Sequence, residues 1–75
     1  MDINTGTIII HTRRSRHYRY YVTRVQTSGP RDYYWAIRIN KNNVIRGNEK
    51  VVCDSVEIQK EWSPYYGYKV EEETG

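Results

Sequence analysis

Leucine and phenylalanine are missing from this chain, and alanine occurs once, at Ala36. Leu and Ala are the residues that cost a helix least, whereas β-branched and aromatic side chains suit a pleated surface. Their place is taken by eight Ile, seven Val and eight Tyr. The chain should therefore fold mainly as strands. Its 75 residues suffice for one small domain over residues 1–75. A domain of that size buries only about 60% of the surface its unfolded chain exposes. Ring area from Tyr and Trp is expected to make up for the thin aliphatic core.

The pattern along the chain predicts an antiparallel meander of four to five strands with one short helix near residues 54–62, a mainly β or α+β class. Residues 5–12 contain Ile8, Ile9 and Ile10 and read as a first strand. A basic connection, Arg13-Arg14-Ser15-Arg16, leads to a second strand over 17–26, and the Gly29-Pro30 cluster turns the chain. Residues 33–39 alternate: Tyr33, Trp35, Ile37 and Ile39 share one face, expected to be core, and Tyr34, Ala36 and Arg38 share the other. Asn40-Lys41-Asn42-Asn43 reads as a hairpin loop returning through a short strand, Val44-Ile45-Arg46. Asp54 and Glu57 fit a capping box, and Ile58 and Trp62 lie one helical turn apart, so 54–62 is read as a helix stopped by Pro64; the i, i+2 spacing of Val56 and Ile58 keeps a strand open as the alternative. Residues 66–70 read as a last strand and 71–75 as a disordered acidic tail.

Charge is unevenly placed. Residues 1–46 carry nine cations, including all eight Arg, against Asp2 and Asp32; residues 47–75 carry three Lys against seven carboxylates. A basic part and an acidic part follow. No apolar run is long enough to span a membrane, no leader is visible, and the single Cys53 forms no internal disulfide. A cytoplasmic location is expected.

The stretch from His11 to Tyr21 interleaves cations with aromatic rings. Arg neutralises phosphates and releases counterions, and Tyr offers a face on which bases stack. If the second and third strands pair, Arg19, Tyr21, Tyr34 and Arg38 would form an exposed platform, with Arg13, Arg14 and Arg16 supplying further phosphate contacts. The competing reading is a solvated sheet surface in which Tyr is simply a good strand residue and Arg protects an edge. The cluster Trp62-Ser63-Pro64-Tyr65-Tyr66-Gly67-Tyr68 is expected to fold Trp62 and one tyrosine into the core, with an aromatic recognition patch as the alternative. His11, His17 and Cys53 lack the paired spacing of a zinc site, Cys53 has no orienting partner, and the glycines are isolated. No metal, cofactor or catalytic role is expected, and Cys53 should be a buried apolar residue.

Tyr33-Tyr34-Trp35-Ala36-Ile37-Arg38-Ile39, followed by Asn42-Asn43-Val44-Ile45, Val51-Val52 and Asp54-Ser55, resembles the small YegP-like domains of unknown function over about residues 33–62. That resemblance implies a unit of aromatic strand, tight hairpin and short helix, and little about activity. A three-stranded sheet followed by a helix is also similar to the integrase arm-binding and AP2-type domains, which lay their sheet against DNA. The expected function is a non-enzymatic, basic nucleic-acid-binding accessory protein of low sequence specificity, acting on DNA or RNA. The alternative is a small protein-binding module or inhibitor, such as a viral regulator of a host enzyme, docking on an acidic protein surface or offering its own acidic half to a basic one. A nucleotide-clamping role stands third, and a homodimer is compatible with so small a core.

Overall fold

The computed structural model of the protein describes residues 3–72. Five strands form one open sheet: β1 (Ile8–Arg13), β2 (Arg16–Ser28), β3 (Arg31–Ile39), β4 (Lys50–Asp54) and β5 (Tyr66–Val70). All pairings are antiparallel, and the order across the sheet is β4-β3-β2-β1-β5. The first four strands form the expected meander. β5 departs from it, returning to pair with β1 at the far edge as in a Greek key.

The β1–β2 connection is tighter than the sequence suggests. Arg13 pairs with Arg16, so only Arg14 and Ser15 turn the chain, with φ of 53° and 65°. A two-residue hairpin with both φ positive normally takes Asn-Gly, because a Cβ is strained there. The β2–β3 turn is made more cheaply, by Gly29 and Pro30. β2 and β3 are longer than expected, and the register shifts between Val22 and Arg24 and again, against β4, between Tyr34 and Trp35. Such bulges bend a sheet and increase its twist.

Four expectations change. The return strand at residues 44–46 reduces to one bridge between Ile39 and Ile45, because Asn40 turns its own loop, its Oδ1 accepting from the Asn42 and Val44 amides at 2.8 and 3.0 Å. The true neighbour of β3 is β4. The helix over 54–62 shrinks to a single 3-10 turn, Glu57–Gln59, so the chain is mainly β rather than α+β. Asp54 does cap that turn, accepting from the Val56 and Glu57 amides at 2.9 and 2.8 Å, but Lys60 is already extended and the turn does not propagate. The faces of β3 are exchanged over most of its length: Tyr34 and Ala36 are buried, while Tyr33, Trp35 and Ile37 are only half-buried; Ile39 is buried as expected. Lastly, Glu71 is not frayed: its amide donates to the Ile8 carbonyl at 2.8 Å and its carboxylate holds Arg19. Residues 73–75 lie outside the described residues.

Ile9, Tyr20, Val22, Tyr34, Ala36 and Cys53 pack together on one face, here the inner face, joined by Ile3 and by Ile58 from the 3-10 turn. Cys53 is buried, and burial pushes its thiol up to about 12, which leaves it an unreactive apolar group. The chain from 55 to 65 crosses this face with Ile58, then brings Trp62 onto the opposite, outer face. There the indole Nε1 donates to the buried Thr12 Oγ1 at 3.2 Å. Gly67 lies between, with φ of 132°, and a Cβ there would meet the Trp62 backbone at 3.1 Å and its ring at 3.2 Å. We expect Gly67→Ala to lower stability by about 2 kcal/mol through clash and backbone strain. Urea unfolding monitored by Trp fluorescence checks this, and an unchanged midpoint would contradict the packing of Trp62 over Gly67.

Candidate nucleic-acid interface

Residues directly opposed in an antiparallel pair point to the same face. The pairs His11–Tyr18, Arg13–Arg16, Ile9–Tyr20 and Tyr20–Arg38, together with His11–Tyr68 and Arg13–Tyr66, therefore continue the inner face toward the β1–β2 turn. Ile58 covers the apolar end of this face. The other end stays open and forms a groove of about 330 Å³ lined by His11, Arg13, Tyr18, Tyr20, Arg38, Lys50 and Tyr68, with Val51 and Val52 on one wall. A second depression, between Arg13, Arg14, Arg16 and Tyr18, runs on from it to the turn.

The rings of the groove are held by one another and by the cations. His11 stacks on Tyr68 with centroids 4.3 Å apart and planes 9° from parallel, and meets the edge of Tyr66 at 6.0 Å. Arg38 lies 4.8 Å over the Tyr18 ring and Lys50 lies 5.6 Å over Tyr20. Among the described residues no carboxylate lines either depression. Burial raises the Tyr20 phenol, and burial followed by the nearby Glu57 pushes Tyr68 up to about 12, so both hydroxyls remain proton donors.

The expected site residues divide into two groups. Arg13, Arg14, Arg16 and Arg38 come together at this end of the inner face. Arg19, Tyr21 and Tyr34 do not join them. Arg19 lies on the outer face, where its guanidinium forks onto Glu71 at 3.0 and 2.8 Å and also donates to the Asn40 carbonyl and to Asn43 Oδ1, both at 2.8 Å. Tyr21 shares that outer face, half-exposed beside Ile8, Ile37 and Ile45. Tyr34 is 5% exposed, in the core. A single platform of Arg19, Tyr21, Tyr34 and Arg38 is thus excluded, since their side chains lie on two faces. Sequence reasoning missed Tyr18, Tyr20, His11, Lys50, Tyr66 and Tyr68. The first two alternate with Arg19 and Tyr21, so the signal was present in β2 and only the face was misassigned.

Tyr65 and Tyr66 flank the turn. The Tyr65 carbonyl accepts from the Ser15 amide at 3.4 Å, and the two rings are 70% and 61% exposed. The strained turn therefore carries Arg14 out beside two open aromatic faces. Among the described residues no cluster of three or more His, Cys, Asp or Glu can hold a metal ion, and no helix is long and apolar enough to cross a membrane. No known protein family, curated protein or solved structure matches the chain.

Desolvation, then the nearby Arg13 and Lys50, hold the His11 imidazole below the ordinary value of 6.5. The unfolded chain thus takes up a proton at a pH where the folded chain does not. The stabilisation is fully present above 6.5 and is lost as pH falls below it. His11→Phe, which keeps the stacked ring, should flatten the decline in melting temperature between about pH 7.5 and 5.5. Parallel pH profiles for the two proteins would contradict it.

Proposed function

We propose that the protein is a non-enzymatic nucleic-acid-binding protein of low sequence preference, working through the open end of the inner face. One observation carries the reading: where the sheet's arginines elsewhere find carboxylates, those at this end do not. Arg19 pairs with Glu71 at 2.8 Å, Arg31 with Asp54 at 3.3 Å and Arg24 with Glu49 at 4.0 Å. Among the described residues, Arg13, Arg14, Arg16, Arg38 and Lys50 have no carboxylate partner. They flank Tyr18, Tyr65 and Tyr66, whose rings can stack on bases. Uncompensated cations beside open aromatic faces favour a flexible strand, with phosphates on Arg and bases on Tyr. Among the described residues no α-helix is present to enter a major groove, so little base reading is expected.

The test is fluorescence anisotropy with a labelled single-stranded oligonucleotide. Arg14→Glu with Arg16→Glu should weaken binding more than tenfold and reduce the slope of log affinity against log salt by about 1.4, the value for two phosphate contacts. Lys41→Glu with Lys60→Glu makes the same change in net charge away from the groove and should leave most of the binding. Equal losses in the two double variants would mean that net charge alone attracts the strand, and would overturn this placement.

The second reading, a protein-binding module or inhibitor, draws on a different observation. On the outer face Ile8, Tyr21, Ile37, Ile39 and Ile45 line an apolar depression, with Ile45 61% exposed. Substituting Ile45→Ser leaves nucleic-acid binding intact under the first reading and abolishes capture of a protein partner under the second.

A further inference from the structure

The groove holds more donors than a track for nucleic-acid backbone requires. A backbone phosphodiester carries one negative charge, and proteins that follow a strand without sequence preference spread their cations along it. Here Arg13, Arg38 and Lys50 converge on one depression. Tyr20 is 7% exposed, and the hydroxyl of this nearly buried side chain bonds to no described residue. The His11 Nε2 is fully buried, and among the described residues it has no hydrogen-bond partner. A desolvated, unpaired ring nitrogen beside a cationic depression is costly in the free protein. It marks a place where an oxygen-rich anion repays that cost.

We propose that the groove seats a phosphate monoester, the terminal phosphate of a nucleic-acid strand, between Arg13, Arg38 and Lys50, with Tyr20 and Tyr68 donating through their hydroxyls. A monoester brings close to two negative charges and three acceptor oxygens, which matches three cations and neutral donors better than a diester does. His11 forms the floor of the site. The exposed Tyr66 ring stands nearly perpendicular to it with centroids 6.0 Å apart, and a turn of that ring gives a ligand oxygen access to Nε2. The penultimate nucleotides then lie along Arg16 and Arg14 toward the hairpin. This inference rests on the nucleic-acid reading above, since it takes the monoester to be a strand end. A free mononucleotide offers the same chemistry.

The experiment compares one single-stranded oligonucleotide ending in hydroxyls with the same oligonucleotide carrying a 5′ or a 3′ phosphate, each by anisotropy, alongside adenosine monophosphate by calorimetry. One phosphorylated end should bind about tenfold tighter than the hydroxyl form. Lys50→Gln and Arg38→Gln, both at exposed positions that leave the fold intact, should erase that ratio. Lys41→Gln should preserve it. Inorganic phosphate at millimolar concentration should remove the preference while leaving binding of the hydroxyl form. Equal binding of all three oligonucleotides overturns the monoester site and leaves the nucleic-acid reading standing. Adenosine monophosphate binding as tightly as the phosphorylated strand upholds the site and overturns the strand end as its source. Failure of every oligonucleotide and of the mononucleotide to bind overturns both.

Discussion

The crossing from β4 to β5 covers one end of the inner face and leaves the other open. Ile58 is the apolar side chain it lays on the core, and the chain then turns around the edge of β5, where Trp62 reaches Thr12 over Gly67. A helix of the length the sequence suggests would have carried a longer apolar stripe across the sheet. The single 3-10 turn cannot. Ile9, Val22, Ala36 and Cys53 therefore lie under cover, while His11, Tyr18, Arg38 and Lys50, on the same face of the same sheet, do not.

Electrostatics follow from that partial cover. The carboxylates available to the sheet are spent along its edges and loops: Glu71 on Arg19, Glu49 on Arg24 and Asp54 on Arg31. Among the described residues none pairs with a cation at the open end. Cations there settle on aromatic faces instead, Arg38 over Tyr18 and Lys50 over Tyr20. Such contacts hold a charge near a ring without neutralising it, so the field of the groove stays positive. The turn that ends the groove is itself strained, with Arg14 and Ser15 where Asn and Gly would rest more easily. Backbone strain of this kind is commonly kept where it displays a side chain.

Much of the fold was legible from residue types. The β-branched and aromatic composition led to the strands, Gly29-Pro30 to the β2–β3 turn, and the buried character of Cys53 was anticipated. What alternation could not reveal was which face of β3 is inside, because both of its faces carry apolar side chains, and the bulges at Val22 and Tyr34 change the parity partway along. The capping residue Asp54 was recognised for the right reason, yet a cap does not supply the apolar stripe that would prolong a helix. The pairing of Arg19 with Glu71, 52 residues apart, brought together two charges that local sequence placed in separate regions. Of the expected residues the structure brings together the arginines of the turn and Arg38, and the aromatic side chains beside them are Tyr18, Tyr20 and Tyr66 rather than Tyr21 and Tyr34.

Amide and side-chain NMR shifts during titration with a single-stranded oligonucleotide read the binding face directly. The account predicts perturbations at His11, Arg13 to Tyr18, Arg38, Lys50 and Tyr66, with Tyr21, Ile37 and Ile45 unmoved. Shifts concentrated on the outer face around Tyr21 and Ile45, or none at saturating oligonucleotide, would contradict it.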